Sequence, residues 1–203
     1  MSDRKRTLDI FWFIPVSGDG SYLGSDVGHR PADFHYLKQI AQAADRLGYG
    51  GVLIPVGAHC DEPWIVAAAL ATHTERLRFL AALRPALGSP THFARQAAAL
   101  DRISNGRFLV NLVAGGDTKE LAGDGIFLGH DERYAQGIEW TRFLKALWRS
   151  KSEFDWSGKY YTAQAAISEP TPIQQRTAPE RCQDSPEASD PDGPSHTGGS
   201  NGS

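Results

Sequence analysis

Cysteine and methionine are scarce in this chain, with two and one respectively among 203 residues. Cys60 and Cys182 lie in dissimilar surroundings, so they suggest no disulfide framework and fit a reducing, cytoplasmic location. No apolar run approaches the ~20 residues a membrane-crossing helix needs. Neither sign of charge dominates: 21 basic residues face 24 acidic ones, a net −3. That balance excludes a general pull toward nucleic acid or an anionic membrane. A secretory leader is not expected either. Arg4, Lys5 and Arg6 supply a basic start, but the stretch from Leu8 to Val16 carries Asp9 and no small-residue cleavage site follows it. No metal is expected, since no second pair of ligands follows His59-Cys60 at metal spacing.

Aromatic residues vanish after position 167. Residues 168–203 hold six prolines and only four apolar residues, Ile173, Ala178, Cys182 and Ala188. Such a composition buries too little surface to offset chain entropy, and it predicts a disordered tail. The ordered domain is therefore expected over 1–167.

Within that span one pattern recurs. The run Ile10-Phe11-Trp12-Phe13-Ile14, closed by Pro15, predicts a strand buried on both faces. Phe34, Leu37, Ile40, Ala41, Ala44 and Leu47 then repeat at helical spacing, with Asp33 as N-cap and Gly48 as stop. Further strands are read at Gly51–Pro55, Leu77–Leu83 and Phe108–Val113. Helices are read at 64–72, from Ser89-Pro90 to about Ile103, and over 134–148. A hairpin is expected at Phe154–Tyr161, turning at Ser157-Gly158.

Four strand–helix units in a row imply a parallel sheet with right-handed crossovers. An open doubly wound sheet and part of an eight-stranded barrel both satisfy this order. The Gly18-Asp19-Gly20 loop lacks the spacing of a dinucleotide-binding turn, which weakens the first architecture.

In either architecture, chemistry gathers where strands run out. Ser17 at the first exit is a possible hydrogen-bond donor or simply part of a small-residue turn. Cys60 at the second precedes a helix, whose N-terminus can activate a thiol; Asp61, Glu62 and Pro63 also read as plain helix-start residues. Arg84 at the third can meet an anionic ligand or form an ion pair. At the fourth, alternation turns Asn111 toward the interior, and Gly115-Gly116 would allow a ring or phosphate to approach the backbone. Tyr134 opens the long helix beyond.

Taken together, several strings resemble the flavin-dependent alkanesulfonate monooxygenases of the bacterial luciferase-like superfamily. They are Phe11-Trp12-Phe13-Ile14-Pro15, Gly18-Asp19-Gly20, Tyr22-Leu23-Gly24, Ile40 to Tyr49, Gly51 to Pro55, Ala99 to Arg107, Glu120 to Gly125, Glu132-Arg133-Tyr134 and Pro172 to Gln175. The resemblance implies a (β/α)8 barrel of which this chain carries the first four strand–helix units. It implies reduced FMN and O2 as co-reactants, and cleavage of an alkanesulfonate to sulfite and aldehyde in sulfur acquisition. A separate NAD(P)H-dependent FMN reductase would supply the flavin. Cys60 matches the family's active-site cysteine. Arg84, Asn111, Ala114 and Tyr134 fall at flavin-site positions, and Trp12 and Ser17 at substrate-site positions.

The sequence departs from the family at Ser17, usually histidine, and at Ala114, usually threonine; Ala58, His59 and Pro63 differ as well. Those changes leave room for another substrate, such as a sulfone or an aldehyde. From Arg176 onward the resemblance stops, and a frameshift or early end is the simplest expectation. A half-barrel with open sheet edges predicts weak turnover and association into oligomers, or a non-catalytic self-associating protein.

Overall fold

The computed structural model describes residues 8–20, 22 and 27–176. Four parallel strands, β1 (Phe11–Phe13), β2 (Gly51–Ile54), β3 (Arg78–Leu83) and β4 (Phe108–Leu112), pair in sequence order. The register sets Trp12 beside Val52, Phe79 beside Phe108, and Ala82 beside Asn111. Helices α1 (Phe34–Leu47), α2 (Pro63–Ala71), α3 (Pro90–Ile103) and α5 (His130–Arg149) follow the strands, with a short α4 (Thr118–Gly123) between β4 and α5.

The two architectures left open by the sequence are separated by where the helices lie. Val52, Ile54, Phe79, Ala81, Leu83 and Phe108 share one face by strand alternation, and all are buried in a single core. Leu37, Ala41, Ala67, Leu70, Ala94, Ala97, Trp140, Phe143 and Leu147 of the helices enter the same core. Every crossover thus covers the same face. A doubly wound sheet would cover both, whereas a barrel covers only the outside. The molecule is the first half of a (β/α)8 barrel. Trp140, Phe79 and Phe143 are the largest fully buried side chains, each stabilising by ~1.5–3 kcal/mol relative to exposure.

Local chemistry explains the element ends. Asp33 accepts the amide of His35 at 3.1 Å, and Gly48 closes α1 at φ 80°. Ser89 caps α3 just ahead of Pro90. Hairpin strands β5 (Phe154–Ser157) and β6 (Thr162–Ala166) pack back on α5, with Trp156 stacked on Phe143 at 4.7 Å.

Four expectations change. β1 is not buried on both faces: Trp12 is 53% and Phe13 46% exposed, because β1 is an edge strand here. α4 forms where the sequence suggested only a longer loop, capped by Asp117, which accepts the amides of Lys119 and Glu120. α5 begins at His130 rather than Tyr134. Finally, residues 168–176 are folded, although low hydrophobicity assigned them to a disordered tail. Ser168 and Pro172 are buried, and Ile173–Arg176 form a 3-10 turn against α3. Polar bonds, described below, hold them. The remainder of that expectation, 177–203 with Cys182, lies outside the described residues.

No described helix is long and apolar enough to cross a membrane.

Candidate functional site

Three strand exits converge on Cys60. The amide of Asp61 donates to the carbonyl of Val16 at 3.0 Å, which draws the loop after β2 against the loop after β1. Ser17 thereby reaches the Cys60 thiol as a hydrogen-bond partner. The amide of Cys60 closes a tight turn onto the carbonyl of Gly57 at 3.0 Å. Pro63 then starts α2, and Glu62 caps it by accepting the amide of Ile65 at 2.7 Å.

The sequence offered Cys60 as a thiol activated by this helix start. The structure reverses that expectation: burial, then the negative charges of Glu120 and Asp61, push the thiol above its ordinary value. The bond from Ser17 and the nearby Arg84 act the other way but do not prevail. At neutral pH this cysteine is a protonated hydrogen-bonding group.

Arg84 is also not what an anion-binding reading requires. Its side chain is 5% exposed and is gripped by two carboxylates of α4 and its C-cap, Glu120 at 2.9 Å and Asp124. A guanidinium already neutralised twice is a structural tie between β3 and α4 rather than a seat for phosphate. Glu120 uses its other oxygen to accept the amide of Ala58 at 2.6 Å, two residues before Cys60. In the sequence Glu120 and Asp124 stand within one short string, Glu120 to Gly125. Their spacing of four, across α4 and its C-cap, was the available signal, since such a pair can face a single cation.

The remaining expected residues lie elsewhere. Asn111 is on the open inner face, beside Ala82, and its side-chain amide has no hydrogen-bond partner among the described residues. Ala114 and Tyr134 line a separate cleft of about 430 Å³ between the β4 edge and α5, with Pro85, Leu112 and Ile138. Arg133, which the sequence did not single out, shapes this loop by donating to the carbonyls of Ala114 (2.9 Å), Leu128 (2.8 Å) and Gly115 (3.2 Å). Gly115 does allow a close approach, at φ 81°, but what approaches is Leu121 of α4: a Cβ would lie 2.6 Å from it. Trp12 alternates to the face opposite Asn111, where it packs on Tyr49 at 5.5 Å and, with Ser17, Asp19 and Tyr36, lines a cleft of about 510 Å³ beside the β1 exit. Among the described residues no group of side chains could hold a metal ion.

A planar, amphipathic ring suits the open face. Phe13, Leu53, Leu80 and Leu109 form its apolar, half-exposed floor by strand alternation, and Asn111 adds an unpartnered amide.

A family model described as luciferase-like monooxygenase matches residues 8–199. The fold is similar to that of a monooxygenase from Streptomyces bottropensis, with 23% identity over 81% of this chain and 50% of that one (TM-score 0.66). It is similar to a riboflavin lyase solved with modified FMN and riboflavin, at 22% identity over 80% and 47% (0.68). A long-chain alkane monooxygenase matches at 20% identity over 82% and 50% (0.69). At these identities the likeness establishes the fold. The chain spans about half the length of each of these proteins.

Proposed function

Because the chain belongs to the luciferase-like monooxygenase family, we propose that it is the N-terminal half of the site of a flavin-dependent monooxygenase. The cofactor proposed is reduced FMN, the co-substrate O2 and the substrate an alkanesulfonate, cleaved at its C–S bond to sulfite and aldehyde. The observation that supports this reading is the open inner face, an apolar floor leading to the unpartnered amide of Asn111. When bound, the flavin supplies the oxygen-activating chemistry. Phe13, Leu53, Leu80 and Leu109 would seat the ring, and the Asn111 amide would supply a hydrogen bond to it. Cys60 and Ser17 present neutral donors at the strand exits, where Cys60 serves as the catalytic residue. Ala114 and Tyr134 are assigned to the cofactor's periphery by resemblance, and Trp12 to substrate contact on the same ground. Trp12 lines a cleft of about 510 Å³ together with Ser17, Asp19 and Tyr36, which supports grouping Trp12 and Ser17 on the substrate side. Phosphate binding is assigned to groups other than Arg84, whose charge is already met.

A cytoplasmic NAD(P)H-dependent FMN reductase is the proposed source of reduced flavin. Anaerobic titration with reduced FMN, read by tryptophan fluorescence, tests the cofactor. Oxygenated turnover on a panel of alkanesulfonates, a sulfone and an aldehyde tests the substrate by sulfite or product release. Binding of reduced FMN that is weakened by Asn111→Leu supports the reading; absence of binding rejects it. Release from the sulfone alone would replace the alkanesulfonate assignment.

A second reading is favoured by the edges. β1 and β4 each have one side unpaired among the described residues, and Phe13 and Leu112 are 46% and 40% exposed. Such edges are self-association surfaces, so a homo-oligomer is proposed. Light scattering tests it, and a monomer at high concentration rejects it.

A further inference from the structure

We propose that Glu120 is a positioning residue that holds the Cys60 loop, acting between the backbone amide of Ala58 and the guanidinium of Arg84. The inference deepens the reading above, in which Cys60 belongs to the flavin site.

The geometry rests on three contacts. One oxygen of Glu120 accepts the Ala58 amide at 2.6 Å. The other accepts from Arg84 at 2.9 Å. Arg84 is itself locked by Asp124 and by burial. The carboxylate thus spans the loops after β2 and β4 while resting on the exit of β3. Gly57 makes room for this arrangement, since a Cβ there would lie 3.2 Å from Glu120 Oε1 and 3.4 Å from Cys60 Sγ. Within the Cys60 turn, Gly57 also supplies the carbonyl that receives the Cys60 amide. The loop is also tied by the Asp61–Val16 bond and the Cys60–Gly57 turn, and a charge-assisted bond to its backbone is among the stronger single ties available.

Glu120 does electrostatic work as well. The bond from Arg84, with help from the Ala58 amide, holds the Glu120 carboxyl below the ordinary range, so Glu120 is ionised at neutral pH. That charge faces the Cys60 thiol together with Asp61 from the same loop, against Arg84 from β3 and the Ser17 hydroxyl from the first loop. Glu120 therefore favours the protonated thiol, which can donate a hydrogen bond to an oxygen atom.

The test uses the full chain in a Cys182→Ser background, so that alkylation reports Cys60 alone. Two properties are read without flavin: hydrogen exchange at the Ala58 amide, and the pH dependence of Cys60 alkylation. Glu120→Ala should speed Ala58 exchange by about tenfold or more, the scale of losing a charge-assisted bond. Glu120→Gln retains an acceptor and should protect Ala58 better than alanine does. It removes the charge, so the alkylation midpoint should move to lower pH. Circular dichroism checks that both variants fold, and Asp124→Asn serves as a companion that leaves the Ala58 bond in place. Unchanged Ala58 exchange in Glu120→Ala, or an unmoved alkylation midpoint in Glu120→Gln, would overturn the proposal. A failure of FMN binding would reject the flavin reading while leaving these two measurements intact.

Discussion

Gln174 reaches Asp101 twice, through its backbone amide at 3.1 Å and its side-chain nitrogen at 2.6 Å. The same side-chain nitrogen donates to the carbonyl of Phe108 at 2.6 Å. Asp101 is 1% exposed, so its oxygens have no water to turn to. These bonds seat the segment after β6 on α3 and on the start of β4. Gln174→Ala should therefore cost ~1–3 kcal/mol, the penalty of leaving buried acceptors unmet. A lowered urea midpoint, with earlier proteolytic cleavage between Ile167 and Ile173, is the expected result. A midpoint equal to wild type would mean the segment is not fastened by this residue.

This contact also marks where sequence reading ran out. Strands β2, β3 and β4 were legible because Gly51–Ile54, Arg78–Leu83 and Phe108–Leu112 are short apolar runs between capped helices. The segment 168–176 was not, because its order comes from polar bonds made across ~70 positions, which composition does not register. Cys60 and Ser17 were legible as strand-exit residues. Glu120 was legible only as one of two carboxylates four positions apart, because its bond to the Ala58 amide spans 62 positions. The face that Trp12 takes was not legible either, because an apolar run hides which side each member occupies until the register is known.

Glu139 performs a similar service for the hairpin. It accepts the amides of Tyr160 (3.0 Å) and Tyr161 (2.9 Å) and the indole of Trp156 (3.4 Å). Gly158 lies so close to this carboxylate that a Cβ there would overlap Glu139 Oε1. Glu139→Ala should lower stability by ~2 kcal/mol, and Gly158→Ala should be destabilising on its own. The pair should be non-additive, because once Glu139 is truncated the added methyl meets no oxygen. A double-mutant cycle in urea checks this, and strict additivity would rule the contact out as the cause.

Stability should fall at both ends of the pH scale. Glu120 is held below its ordinary 4.5 chiefly by the bond from Arg84. Burial alone would raise Glu139 and Asp45, but backbone amides outweigh it and hold both below their ordinary 4.5 and 3.8. A carboxylate lower in the folded state stabilises fully above its unfolded value, and that contribution is lost as pH falls through the folded value. The urea midpoint should thus be flat above about pH 5 and decline below it, less steeply in Glu139→Gln. Tyr161 works from the other side. Burial, with the charge of Glu139, raises its hydroxyl from 10.0 to about 12, and it donates to the carbonyl of Pro85 at 3.0 Å. Its contribution is complete below pH 10.0 and is lost as pH climbs toward about 12. Tyr161→Phe should flatten that alkaline limb; an unchanged limb would assign it to another group.

Arg107 allows the stabilising and chemical ends of the molecule to be told apart. It sits just before β4, opposite the strand exits. Its guanidinium donates to the carbonyls of Ser104 (2.6 Å), Leu77 (2.9 Å) and Ala71 (2.8 Å) and to the hydroxyl of Thr74 (2.9 Å). One side chain thereby satisfies the ends of α2 and α3 and the approach to β3. Lysine brings a single point charge with no planar fork, so it cannot meet these four acceptors in their present directions. Arg107→Lys should cost ~1–3 kcal/mol even though the charge is kept. In a half-barrel the exits carry the chemistry and the opposite rim carries stability. The substitution should therefore lower the urea midpoint while leaving the pH profile of Cys60 alkylation where it was. If that profile moves as well, the two rims are coupled through the sheet, and the Cys60 loop depends on more than the ties made by Glu120, Val16 and Ser17.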